Sequence, residues 1–328
     1  MTTMTATTGR RRITIGGLLR HPGAGVVIAF VVLCVVLSVT SPDFLTVSNI
    51  TIVLRQSTWV AIMAVGMTFV IGMGGIDLSV GAILGITGVF AAALVQGGMN
   101  IYLAVLIAIV AGAAIGVVNG ILVTVFRIPP FIATLGTMST LRGLILVLTG
   151  GIPIYGLSYP EFSWWGQGFL GPVPAPVVIL VVVVAVFGFV LYRTRLGRYT
   201  LSVGSNPTAA RLAGINVDGV KVAVYGISGL LCGIAGIILT SRSEAATPDA
   251  GTGLELNVIA ATIIGGTAMT GGRAVIFGTV VGAVLMTTIS NGLNLLGVSA
   301  LWPQVIIGIF ILVAVAASSM SKSKSELD

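Results

Sequence analysis

Between Leu78 and Phe126 the chain runs without a single Asp, Glu, Lys or Arg. A charge at the centre of a bilayer costs about 3 kcal/mol, and a helix needs about 20 residues to cross, so so long an uncharged stretch has to hold two crossings. The polar run Gln96-Gly97-Gly98-Met99-Asn100 marks the turn between them. The same criterion places spans at Gly23–Pro42 and Gln56–Ile76 before it, and at Ile128–Gly150, Val173–Tyr192 and Val222–Ser241 after it. Leu256–Gly272 is short for a span, and Ala274–Ser321 holds two, with a break near Asn291-Gly292-Leu293-Asn294. The expected fold is all-α: a polytopic transmembrane helical bundle of about ten spans with discontinuous helices and both termini in the cytoplasm.

Composition fits this reading. Charged residues make up 8% of the chain, against about 25% in soluble domains. The net charge of +7 follows topology rather than nucleic acid, because no arginine run is interleaved with stacking aromatics and the cations border apolar spans. With the termini inside, Arg242 alone among the loop cations falls outside. Arg10-Arg11-Arg12 and the apolar run from Val26 are laid out like a signal peptide, but SVTSPDF offers no small-x-small cleavage site, so an uncleaved first span is expected. Cys34 and Cys232 lie in apolar stretches and read as small buried hydrophobes.

Catalytic, cofactor-binding and metal signals are missing from the sequence. The lysines Lys221, Lys322 and Lys324 stand in no phosphate-binding loop, and the single histidine, His21, precedes the first span. The chain is therefore not expected to be an enzyme.

Polar residues inside apolar surroundings stand out instead. Asp77, in GMGGIDLSVG, admits two readings: a carboxylate lining a pathway at a broken helix, or a cap on the helix that follows. Asn119, Asn291, Asn294 and Arg142 each need a partner, which is either another helix or a hydroxylated solute. Arg142 can also snorkel. Asp77, Asn119, Asn291 and Asn294 are the candidate pathway residues. Outside, the aromatic segment Tyr155–Phe169 with Glu161 reads as an interfacial helix or as a docking face, and the loop with Glu244 and Asp249 is a second candidate docking surface. Glycines recur as Gly81/Gly85, Gly112/Gly116/Gly120, Gly229/Gly233 and Gly278/Gly282, a spacing that lets helices approach closely. Gly74-Gly75 before Asp77 is weakly echoed by Gly265-Gly266 before Gly271-Gly272, as if two related helix breaks were present.

The segment Arg193–Lys221 holds five of the 16 cations on the cytoplasmic side. Within it Asn206-Pro207 starts a short helix, Thr208–Ala213, that Gly214 ends. Small residues Ala209, Ala210 and Ala213 beside Arg211 suit either a groove on a partner or a solvated loop helix.

Four long strings, residues 66–88, 119–144, 193–217 and 251–283, cover both halves of the chain in order. In them the chain resembles the membrane permease subunits of bacterial ABC importers for monosaccharides, the ribose-type branch. The resemblance implies a single permease domain over 1–328, with cytoplasmic tails at 1–22 and 320–328 and a coupling segment at 193–221. It implies a monosaccharide importer in a bacterial inner membrane, with cytoplasmic ATPase subunits that use ATP and Mg, a periplasmic or lipid-anchored sugar-binding protein, and a second permease copy. In that family the stretch matching Gly204–Ile215 is the coupling helix, so Asn206, Pro207, Ala209, Ala210, Arg211, Leu212 and Gly214 are the expected ATPase-coupling residues. Nucleoside and branched-chain amino acid permeases share the broad layout, and an ion-coupled secondary transporter is the alternative from another class.

Overall fold

The computed structural model describes residues 24–299 and, beyond them, 302, 305, 306, 308 and 309. The expectations for 1–22, for 320–328 and for most of the tenth span lie outside the described residues.

Twelve helices follow one another among the described residues. They are α1 (Ala24–Thr40), α2 (Val47–Gly72), α3 (Val80–Gln96), α4 (Ile101–Thr124), α5 (Pro130–Thr149) and α6 (Pro160–Gln167). A two-stranded hairpin, β1 (Phe169–Leu170) with β2 (Val173–Pro174), leads to α7 (Ala175–Arg193). Then come α8 (Arg195–Ser205), α9 (Pro207–Leu212), α10 (Val217–Ser243), α11 (Leu254–Ile264) and α12 (Ile276–Leu295). Six of them, α2, α4, α5, α7, α10 and α12, are long and apolar enough to cross a membrane by length and composition. The apolar helices α1, α3 and α11 are shorter. At about 1.5 Å per residue the 11 residues of α11 reach only about halfway across.

The turn at 97–100 falls where the polar run predicts it. Asn100 caps α4 by accepting from the amides of Tyr102 and Leu103. The charge criterion misplaces the start of α2, because Arg55 lies inside that helix in its N-terminal third. Its Nη2 donates to the Gln167 carbonyl at 2.7 Å and its guanidinium stands over the Phe169 ring, so the charge is partnered rather than excluded. The expected break near Asn291–Asn294 falls just beyond it: α12 runs to Leu295 and the chain turns at Gly297, with φ +72°, while Asn291 itself stays helical and exchanges amide hydrogen bonds with Asn49 of α2 at 2.8 and 3.1 Å.

Two helices form the spine. Helix α2 is buried without interruption from Ser57 to Gly72. Helix α10 packs on α4 above all, then on α2 and α3, and its C-terminal end carries α6. The contact between α10 and α4 is backbone on backbone: a Cβ on Gly112 would come within 2.7 Å of the Gly229 carbonyl oxygen, and one on Gly120 within 2.6 Å of Val222 Cα. Lipid offers no hydrophobic force between helices, so such close approach supplies dispersion contact instead. Cys232 is buried in this spine and Cys34 is half-buried on α1, both as free thiols.

Candidate functional site

The segment expected to couple to a partner folds as two helices in series. Thr194 caps α8 by accepting from the Gly197 amide, and Asn206 caps α9 by accepting from the Ala209 amide at 2.9 Å. Pro207 opens α9 with the backbone angle a first turn needs. Gly214, with φ +80°, closes it in the left-handed conformation that glycine adopts without strain. The helix has two faces. Ala210 is only 5% exposed and seats α9 on its own chain, so among the expected coupling residues it faces inward. Asn206, Pro207, Ala209, Arg211 and Gly214 are exposed, and Leu212 at 86% is an almost fully uncovered leucine. Arg211 pairs with Asp218 at the start of α10, 3.2 Å apart, an exposed bridge of small energetic weight.

The end of α8 is wedged into the membrane helices. The Gly272 amide donates to the Gly72 carbonyl at 2.9 Å, joining the end of α2 to the α11–α12 link. Gly204 lies against this junction: a Cβ there would overlap the Gly72 carbonyl and stand 2.6 Å from the Gly272 nitrogen, while one on Gly271 would stand 2.6 Å from the Gly204 carbonyl oxygen. The two glycine-rich breaks that echo in the sequence thus meet each other and meet α8. Ser205, the last residue of α8, lies against Gly272 in the same junction.

Beyond the first break lies Asp77, fully buried. Its Oδ1 accepts from the Ser79 amide at 3.0 Å and from Ser79 Oγ at 2.5 Å, and its Oδ2 accepts from Ser228 Oγ of α10 at 2.9 Å. The carboxylate therefore caps the turn before α3 and ties it to the middle of α10. Asn119 Nδ2 of α4 donates to Ser79 Oγ at 2.8 Å, and Thr137 Oγ1 of α5 donates to Asn119 Oδ1 at 2.6 Å. A relay of side chains thus runs Ser228, Asp77, Ser79, Asn119, Thr137 across four elements. It ends at a groove of about 440 Å³ between α4 and α5 that Thr137, Thr140, Gly136 and Ile132 help to line. Ser228→Ala removes one bond to the carboxylate and is expected to lower stability by about 1–3 kcal/mol, read as an earlier thermal unfolding midpoint in detergent micelles.

Of the four candidate pathway residues, Asp77 and Asn119 come together in this relay. Asn291 is held by Asn49 far along α12, and Asn294 is exposed one turn further on. Ser79, Ser228 and Thr137 were not singled out in the sequence. Ser79 alone carried a signal, standing two residues after an Asp, whereas a serine or threonine in an apolar helix usually bonds back to its own turn.

At the C-terminal end of α10, α6 is clamped on that helix. Ser241 Oγ donates to the Phe162 carbonyl at 2.5 Å and accepts from the Gly166 amide at 2.8 Å, with Phe162 buried beneath. Glu244 has φ +49° and accepts from Ser158, Ser163 and Gln167. The hydrogen bonds from Ser158 and Ser163 hold its carboxyl below the usual glutamate range. A depressed folded value means the clamp is fully present above the ordinary value of about 4.3 and is lost as pH falls through the folded value below it. Tryptophan fluorescence from Trp164 and Trp165 is expected to stay constant from neutral pH down to that ordinary value and to change only below it. Glu161 is exposed beside a cleft of about 450 Å³ that it lines with Tyr102, Trp164 and Trp165, and Asp249 is exposed on the loop after α10.

Among the described residues no group of three His, Cys, Asp or Glu is placed to hold a metal ion. A multi-pass helical bundle with broken helices, a buried polar relay and an exposed short helix next to those breaks fits a membrane transport subunit. The chain belongs to the permease family described as the branched-chain amino acid transport system / permease component, whose model matches residues 49–315. It is 44% identical over 319 residues to the ribose import permease protein RbsC of Escherichia coli, covering 96% of this chain and 98% of that one. It is 42% identical over 309 residues to RbsC of Bacillus subtilis, covering 94% and 95%. The L-arabinose ABC transporter permease protein AraH of Azospirillum brasilense is 38% identical over 292 residues, covering 89% and 86%. No solved structure matches the chain.

Proposed function

We propose that the chain is the membrane-spanning subunit of an ATP-driven importer that carries a monosaccharide across a bacterial cytoplasmic membrane. The near full-length identity to permeases named for ribose and arabinose supports a sugar over an amino acid. The single structural observation that carries the coupling half of this reading is α9: a capped helix that leaves Leu212 86% exposed and follows directly on α8, whose Gly204 packs on both helix breaks.

In this reading an ATPase subunit, using ATP and Mg, receives the face of α9 made by Pro207, Ala209, Arg211 and Leu212. Closure of the ATPase pair moves α9, α8 follows, and the Gly72–Gly204–Gly272 junction passes the motion to the breaks that carry Asp77 and α11. A second copy of the chain completes the path, and a sugar-binding protein delivers solute on the outer side near Glu161. Both termini lie in the cytoplasm. The charge pattern and the exposed basic segment around α9 support this orientation. The chain itself binds no cofactor.

The test is co-reconstitution of the chain with its ATPase and binding protein in liposomes. Accumulation of radiolabelled ribose, arabinose, xylose or allose that requires ATP supports the reading. Accumulation of branched-chain amino acids or nucleosides and of no sugar would overturn the substrate class.

A further inference from the structure

Two adjoining clefts open beside α6. The larger, of about 450 Å³, is lined by Tyr102, Glu161, Trp164 and Trp165 among others. The smaller, of about 350 Å³, shares Tyr102 and Glu161 with it and adds Asn100. The Trp164 and Trp165 rings stand at 83° to each other with centroids 5.9 Å apart, so the larger cleft has indole surface in two orientations. Glu161 is the one carboxylate on either lining. It is exposed and takes part in no hydrogen bond or ion pair with the described residues, whose one salt bridge is Arg211–Asp218.

Aromatic walls around an unpaired carboxylate have the chemistry of a cation site. The ring quadrupoles attract positive charge over their faces, and the carboxylate accepts its hydrogen bonds. What lies beneath the clefts narrows the choice of cation. Tyr102 stands in the first turn of α4, a helix long and apolar enough to cross a membrane, so the clefts lie at the headgroup level of one leaflet. From Tyr102, Leu106 and Val110 follow at four-residue steps along the same face of α4, and both are exposed. The negative, aromatic cleft thus continues into an uncovered apolar stripe. A small soluble cation would use only the cleft, whereas a molecule with an ammonium head and an acyl tail uses both. Asn100 supplies a donor for the phosphate such a molecule carries. Its Oδ1 is occupied by the amides of Tyr102 and Leu103, while its Nδ2 donates to no group among the described residues.

We propose that these clefts form a binding site for a phospholipid with a primary ammonium headgroup, of the phosphatidylethanolamine class. Glu161 accepts from the ammonium, the rings of Tyr102, Trp164 and Trp165 surround it, Asn100 donates to the phosphate, and an acyl chain lies along Leu106 and Val110. The lipid bridges α4 to α6. The assignment is independent of which solute the chain carries.

The test titrates the purified full-length chain in detergent with phosphatidylethanolamine or phosphatidylglycerol and counts bound lipid by native mass spectrometry. Phosphatidylglycerol keeps the phosphate and chains but lacks the ammonium. Wild type is expected to bind phosphatidylethanolamine at least about tenfold more tightly, the scale of one hydrogen bond to a charged group. Glu161→Gln is expected to remove that preference, and Trp164→Ala to weaken it. Equal affinity of wild type for the two lipids overturns the site, and this comparison needs no variant to fold. An unchanged preference in Glu161→Gln overturns it as well. In a second arm, the sugar-binding protein is titrated onto wild type and Glu161→Gln in nanodiscs of phosphatidylglycerol alone, with equal affinities expected. Binding lost in Glu161→Gln while its lipid preference persists would assign the cleft to a protein partner and overturn the lipid site.

Discussion

Leu212→Asp is expected to abolish ATP-driven uptake while the permease still inserts and folds. Leu212 is 86% exposed and bonds to nothing in its own chain, so the substitution leaves the fold intact. Docked on the ATPase as proposed, the same side chain becomes buried, and a carboxylate there would have to be desolvated without a partner. Removing a central apolar anchor from an interface costs about 2 kcal/mol or more, and an unpaired buried charge adds to that. The measurement is retention of the ATPase subunit on the tagged permease during purification, together with uptake. Both should fall at least about tenfold, the equivalent of 1.4 kcal/mol. Leu212→Met keeps the apolar contact and should retain both. Ala210→Trp is a poorer probe, because Ala210 is buried against its own chain and a large ring there displaces α9 itself.

Gly116→Leu is expected to prevent assembly of the bundle. A Cβ at Gly116 would overlap the Tyr225 carbonyl and stand 3.1 Å from Gly229 Cα, so the obstacle is backbone and no rotamer relieves it. Overpacking against movable side chains costs about 1–3 kcal/mol; separating α4 from α10 along their length should exceed that range. Because α10 carries Ser228 and α4 carries Asn119, the relay through Asp77 breaks as well. Yield from detergent-solubilised membranes and the thermal unfolding midpoint report the effect. Gly188→Leu on α7 is the matched control: its Cβ meets nothing within 4 Å, and it should behave as wild type.

The parts of this fold that were legible in the sequence are those governed by local chemistry. A polar turn between two apolar stretches has to leave the membrane, which put the break at 97–100 in view. Asn206 followed by Pro207 dictates a helix start wherever it occurs. Small residues four apart imply close helix contact, and each such pair meets a neighbouring backbone. What escaped depends on who faces whom. Arg55 looked like a span boundary because its partners, the Gln167 carbonyl and the Phe169 ring, are more than 100 residues away in the chain. Asn291 and Asn294 announce the break that follows at Leu296-Gly297, but that Asn291 is satisfied by Asn49 across a helix interface is not written in its neighbourhood. The inward turn of Ala210 follows from where α9 sits, which its six residues do not encode. Arg142 appears as an isolated charge until the link 244–253 is seen to bring the Ala250 carbonyl to it, 108 residues further along the chain.

The coupling claim is tested most directly by cross-linking from position 212. In a chain with Cys34 and Cys232 replaced by alanine, Leu212→Cys treated with a short thiol-reactive bifunctional reagent should capture the ATPase subunit, and Ser243→Cys at the C-terminal end of α10 should not. Capture from position 243, or none from 212 in a complex that still transports sugar, would contradict the account.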